Sequence, residues 1–137
     1  LQDQLLPCDN WVRFVEEVQQ NKLLRYYAQA TMIVAPSLWE NFPNVLIEAA
    51  LAKCPIVSTR VGGIPELFSN RKQCILVTSE NANDLATAIG LFLKNKSLRS
   101  KLAKNANIQI TTQLKPEKIA KETVMFYENM IKDRAIQ

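Results

Sequence analysis

Residues 35–68 read APSLWENFPNVLIEAALAKCPIVSTRVGGIPELF. In order they hold the end of an apolar strand, an acidic loop, a short apolar helix, a second strand and a Gly-Gly turn. Thr31 to Ala35 is a short apolar run rich in β-branched residues and stopped by Pro36. A run that is apolar on both faces suits a strand buried inside a parallel sheet. Asn44 is placed to cap the helix that follows, which is expected to reach about Lys53 and to be ended by Pro55. Pro55 to Thr59 repeats the buried-strand pattern and is closed by Gly62, Gly63 and Pro65. Within this stretch Glu40 and Glu48 are separated by seven residues. The first carboxylate falls on the loop, the second about one turn into the helix.

Upstream, Lys22 to Ala30 carries Leu23, Leu24, Tyr27 and Ala30 at helical spacing. Val12 to Val15 is a short β-rich run. Downstream, a weaker helix over Pro65 to Asn70 leads to a last strand, Cys74 to Val77. Three helices close the chain. Asn83 or Asp84 is placed to cap the first, whose apolar face holds Leu85, Ala88, Ile89, Phe92 and Leu93. Ser97 is placed to cap the second, expected to end near Asn107. The third opens at Pro116-Glu117 and runs to about Asp133, proline being favoured in a first turn. Strands alternating with helices define the class: α/β, a Rossmann-like parallel sheet of about four strands flanked by helices. The length of 137 residues fits one domain, 1–137.

Composition narrows the function. Apolar residues make up 47 % and charged residues 22 %, ordinary for a soluble globular chain. The longest apolar run, near Val45 to Ala52, is broken by Glu48 and is too short to span a bilayer. No basic segment followed by an apolar one marks a secretory signal near residue 1. Cys8, Cys54 and Cys74 are few, odd in number and scattered, which argues against a disulfide framework or a zinc site. A reduced, cytoplasmic setting is expected. The absence of histidine removes the commonest general base and the commonest metal ligand together. The net charge of +4 gathers late, at Lys94, Lys96, Arg99, Lys101 and Lys104, then Lys115, Lys118 and Lys121. Solvated helix faces account for such residues; a shallow attraction to an anionic membrane surface or to nucleotide is the sharper reading. No nucleic-acid partner is expected, because these residues are not interleaved with stacking aromatics and no recognition motif accompanies them.

In parallel sheets ligands bind outside the carboxyl ends of the strands, where the loop after Ala35 must lie. A helix opening near Asn44 leaves backbone N–H groups without internal partners, and its dipole favours an anion. Glu48, too near a phosphate to bind one, suits a neighbouring diol. Glu40 could accept hydroxyls from a second polyol. One anion site between two diol sites describes a nucleotide sugar. Taken singly, each glutamate also fits a plainer role as a solvated, dipole-favoured residue.

The segment resembles the signature of the retaining nucleotide-sugar glycosyltransferases of family 4, which have the two-domain GT-B fold. The matching positions are Pro36-Ser37, Glu40-Asn41-Phe42-Pro43-Asn44, Glu48-Ala49, Lys53-Cys54-Pro55-Ile56-Val57 and Val61-Gly62-Gly63-Ile64-Pro65-Glu66. The resemblance implies a donor-binding domain. In it Glu48 holds the ribose hydroxyls of a UDP- or GDP-linked donor, and Glu40 contacts hydroxyls of the transferred sugar. The backbone of Asn41, Phe42, Pro43, Asn44 and Val45 cradles sugar and phosphate. Glu40 then acts at the catalytic centre by position and charge, not as a nucleophile. The family uses no bound metal or cofactor beyond its nucleotide-sugar substrate, and polysaccharide or lipid-linked glycan assembly is its common setting. For Gly62-Gly63 a plain turn needing positive φ is preferred to direct ligand contact.

Four positions depart from the pattern. Lys53 stands where the family ends its helix with glycine, and is expected to sit left-handed there. Asn41 replaces a glycine, Arg60 an aspartate, and Cys74 a glycine before the last strand. Relative to the family, an N-terminal acceptor domain is expected to be missing, together with two strands bearing the basic residues that face the donor diphosphate. In the usual strand order 3-2-1-4-5-6 this leaves Val12 to Val15 without a neighbour. That strand is expected to slide against residues 31–35, detach, or be completed by another chain, with self-association through an exposed edge. Two classes of function follow. One is the donor half of a glycosyltransferase, inactive alone. The other is a non-catalytic remnant serving as an interaction or membrane-surface module. A related sugar-nucleotide epimerase fits less well, since such enzymes lean on histidine.

Overall fold

In the computed structural model, which describes residues 12–134, the second strand of the chain is the central one. Nine elements run in order: α1 (Gln20–Gln29), β1 (Ile33–Ala35), α2 (Asn44–Leu51), β2 (Ile56–Thr59), α3 (Ile64–Leu67), β3 (Ile75–Val77), α4 (Ala82–Lys94), α5 (Lys96–Gln113) and α6 (Pro116–Arg134). The sheet is parallel in the order β1-β2-β3, with Val57 opposite Val34 on one side and opposite Ile75 on the other. All four residues of β2 are buried, whereas β1, at the edge, is half-buried throughout.

The period of two sorts the strand side chains into two cores. Ile56, Leu76 and Cys74 face one side, where Tyr27, Leu46, Ala49, Ala50, Cys54, Ile64, Phe68, Ala106 and Ile110 cover them. Val57, Ile75 and Val77 face the other side, closed by Ala88, Phe92 and Leu102. Helices on both faces explain why the strands read as continuous apolar runs, not alternating ones.

The α/β class stands, with corrections at its margins. Val12 to Val15 forms no strand; Val12, Phe14 and Val15 are exposed and lie outside any regular element. The sheet of the described residues therefore has three strands, not about four. In the doubly wound order this segment is separated from β1 by two intervening strands, which the described residues do not supply, and it does not pair with the open edge of β1 instead. Of the alternatives foreseen for it, pairing with residues 31–35 does not occur. Cys8 lies outside the described residues.

The helix caps also shift. Asn81, not Asn83 or Asp84, caps α4 by accepting from the Asp84 N–H at 3.0 Å. Asn95, not Ser97, caps α5, accepting from the Leu98 N–H at 2.9 Å. The α5 helix also continues past Asn107 to Gln113, because Ile110 is needed in the first core. Lys53 has φ 57°, as expected. The Cys54 N–H reaches the Ala49 carbonyl at 2.8 Å and the Lys53 N–H the Ala50 carbonyl at 3.0 Å, the paired bonds of a left-handed helix stop.

Candidate functional site

The loop after β1 is pinned from beneath by β2. Ser58 Oγ donates to the Ala35 carbonyl at 2.9 Å, and Thr59 Oγ1 to the Ser37 carbonyl at 2.6 Å. These hydroxyls are the buried polar exceptions in an apolar strand, and each is satisfied by the backbone it holds. From the side, the turn after β2 presses on the same loop. The Gly63 N–H donates to the Glu40 carbonyl at 3.1 Å. A Cβ at Gly62 would stand 1.7 Å from the Glu40 carbonyl oxygen, and one at Gly63 would stand 2.3 Å from that of Asn41. Gly62 does take positive φ, 49°. The stronger demand on the pair is close approach to the backbone of Glu40 and Asn41, a reason the sequence reading lacked.

At the α2 opening the N-cap is Pro43, and Asn44 is the first helical residue with no side-chain cap bond. The Asn44 N–H bonds the Phe42 carbonyl at 2.9 Å, and the Leu46 and Ile47 N–H groups both reach the Pro43 carbonyl at 3.0 Å. The expected group of free donors therefore shrinks to the Val45 N–H among these four. The proline carbonyl accepts the ordinary first helical bond from Ile47 and also the Leu46 N–H, which a first turn usually leaves open. The dipole still points its positive end at the loop.

The sequence-derived residues divide by exposure. Glu40 and Glu48 are half-buried; Asn41, Phe42, Asn44 and Val45 are exposed; the Pro43 ring is buried. Glu48 is held by a residue outside the motif, since the Tyr27 hydroxyl donates to its Oε2 at 3.3 Å. Burial of the phenol, then the Glu48 charge, pushes the Tyr27 pKa up, so the hydroxyl keeps its proton at neutral pH. Leu38 and Trp39 project into solvent beside Glu40, 70 % and 76 % exposed. A hollow of about 270 Å³ at the same end of the sheet is lined by Pro36, Leu38, Thr59, Thr78, Glu80 and Asn81, among others. Neither motif glutamate lines it. Of the residues missed, Tyr27 carried the one available signal, an aromatic on the apolar stripe of the helix before β1. The roles of Thr59 and Gly63 depend on which backbone lies above them, and no local pattern shows that.

Two half-buried carboxylates thus sit at the carboxyl end of a parallel sheet, one on the loop and one on the following helix. This is the ligand end of a Rossmann-like α/β domain. Residues 2–109 match the family described as "Glycosyl transferases group 1", and the chain belongs to that family. It is 35 % identical over 95 residues to the D-inositol 3-phosphate glycosyltransferase of a Nocardioides species, covering 69 % of this chain and 21 % of that protein. Sucrose-phosphate synthase from Thermosynechococcus elongatus superposes with a TM-score of 0.80 at 29 % identity, covering 88 % of this chain and 30 % of that one. The Anabaena protein HepE, solved in complex with UDP, superposes at 0.72 with 22 % identity, covering 77 % of this chain and 29 % of that one. The domain is thus of GT-B glycosyltransferase type, and the chain spans about a fifth to a third of the length of these three proteins.

Proposed function

We propose that this chain is the donor-binding part of a retaining glycosyltransferase. It would take a hexose from a UDP- or GDP-linked sugar and deliver it to a glycan or lipid-linked acceptor. The observation that carries this reading is the fixing of Glu40 by the Gly62-Gly63 turn and of Glu48 by Tyr27, on the two sides of the α2 opening. Glu48 accepts the ribose hydroxyls, and Glu40 accepts hydroxyls of the transferred sugar. The backbone of residues 41–45, with the Val45 N–H toward the ligand, holds the sugar and the nearer phosphate. The acceptor oxygen bonds to the anomeric carbon as the bond from that carbon to the phosphate oxygen breaks. The nucleoside diphosphate leaves with the bonding pair and takes up the acceptor hydroxyl's proton. Glu40 contributes through position and charge, since fixed groups aimed at the reacting centre need no reorganisation during the reaction. No metal or further cofactor has a part in it. Support comes from the HepE complex with UDP and from the sugar-transfer activities in the names of the relatives.

The acceptor half belongs to another domain or a partner chain, and the donor half alone is inactive. Among the described residues β1 pairs only with β2, so its outer edge is where a further strand, from such a partner or a second copy, would add. A concentration-independent monomer in sedimentation would remove the second-copy form of this reading.

The test is an NMR titration of the protein with UDP, GDP, ADP and their sugars, repeated with Glu48→Ala. Saturable shifts for one nucleotide, weakened by the substitution, are expected. No shifts at millimolar ligand in a folded sample would sink the donor-site reading.

One observation favours the second reading, a non-catalytic module at an anionic membrane surface on the cytoplasmic side. Lys53, Lys96, Arg99 and Lys104 converge on a hollow of about 430 Å³ beside Thr31, at the opposite end of the sheet from the glutamates. No acidic residue lines it. Among the described residues, no helix is long and apolar enough to cross a membrane. Sedimentation with vesicles containing anionic lipid, lost on charge reversal at Lys96 and Lys104, separates this reading from the first.

A further inference from the structure

Tyr27 is the one buried residue of α1, 6 % exposed. It stands on the face where α1 packs against α2, and its ring belongs to the first core with Leu46, Ala49 and Cys54. The packing alone would be served equally by phenylalanine. What phenylalanine lacks is the hydroxyl, and that group ends 3.3 Å from Glu48 Oε2. The contact joins residues 21 apart in sequence, on different helices. It is longer than an ordinary O–H···O bond, so its effect is directional more than energetic.

We infer that Tyr27 is a positioning residue for Glu48, holding one carboxylate oxygen so that the remaining lone pairs are turned toward a vicinal diol. The inference rests on the donor-site reading, because it needs Glu48 to receive a ribose. An ionised carboxylate has about four lone-pair directions. Tyr27 occupies one, and two adjacent hydroxyls need only two of the rest. A glutamate has three side-chain torsions, and fixing them beforehand removes an ordering cost from ligand binding. The buried phenol also cannot follow the carboxylate if it swings away, because its ring is locked among α2 side chains. The helix before β1 thereby becomes part of the donor site without touching the ligand.

A structural role and a positioning role differ in one readout. Loss of packing weakens every ligand alike, whereas loss of carboxylate orientation weakens only those that present the full diol. Affinities of the intact protein for UDP and 2′-deoxy-UDP, and for GDP and 2′-deoxy-GDP, are therefore compared in the wild type, Tyr27→Phe and Glu48→Gln. The wild type should prefer one ribonucleotide over its deoxy form by about tenfold. Tyr27→Phe should shrink that preference to about threefold, and Glu48→Gln should abolish it. If Glu48→Gln abolishes the preference and Tyr27→Phe leaves it intact, the positioning role is wrong and the donor site survives. A uniform loss for both forms in Tyr27→Phe also overturns the positioning role. No ribose preference in the wild type, or no binding, overturns the donor-site reading and this inference with it. A ligand-free check is the NMR titration of the Tyr27 ring, whose midpoint should fall in Glu48→Gln. An unchanged midpoint would show that the two side chains do not meet.

Discussion

Gly62 and Cys74 show how single positions are constrained by what lies next to them. At Gly62 a methyl group would overlap the Glu40 carbonyl, and the backbone is left-handed as well. Gly62→Ala should therefore cost about 2–4 kcal/mol, combining the left-handed penalty with a forced shift of the loop. Urea denaturation measures the cost, and loss of ligand-induced shifts around Glu40 would report the displaced loop. Cys74 is fully buried beneath β3, and burial pushes its thiol from an ordinary 9.0 up to about 12. A raised pKa means that the folded state favours the protonated thiol. The associated stability is present below pH 9 and is lost as the pH climbs toward 12, at about 1 kcal/mol per pH unit. Wild-type stability should thus fall more steeply between pH 8 and 10 than that of Cys74→Ala. Equal slopes would contradict the assignment.

At the scale of elements, the helix starts are decided by side chains two residues earlier than the sequence suggests. Asn95→Ala should destabilise the protein by about 1 kcal/mol, the usual cost of losing an N-cap, while Ser97→Ala should change it by less than about 0.5 kcal/mol. Thermal melts of the two variants distinguish the caps directly. Both Asn95 and Ser97 are good capping residues, and so are Asn81, Asn83 and Asp84. With several candidates in a row, local chemistry names the neighbourhood and packing chooses the register. For α5 that choice places Leu102, Ala103, Ala106 and Ile110 in the cores. The same holds at α2, where the sequence offers Asn44 as the cap but Pro43 takes that position.

At the scale of the molecule, stability resides in the two cores flanking β2, and α6 stands apart from them. Every described side chain from 115 to 132 is exposed, including Ile119, Val124, Phe126, Tyr127 and Ile131. Deleting residues 116–134 should leave the unfolding midpoint within about 2 °C of the wild type, because little buried area is lost. A drop of about 10 °C would show that α6 packs on the body. Its apolar residues cover a broad stripe in sequence, which reads as a core-facing helix. The described residues offer no surface against which that stripe is buried.

The sequence by itself determined the α/β alternation, the positions of the three strands that form, and the family signature around Glu40 and Glu48, whose pattern in turn implied the left-handed stop at Lys53. The alternation and strands rest on local chemistry, β-branched runs and proline boundaries; the stop at Lys53 and the paired carboxylates rest on the resemblance to the family pattern. The tertiary structure alone decided what those residues lean on. It set the Tyr27 hydroxyl against Glu48 and Gly62-Gly63 against the Glu40 backbone, and it turned the hydroxyls of Ser58 and Thr59 to the loop above them. It also left Val12 to Val15 outside the sheet, although that segment has a strand's composition. Such contacts join residues about 20 or more positions apart, and their geometry exists only once the helices and strands have packed.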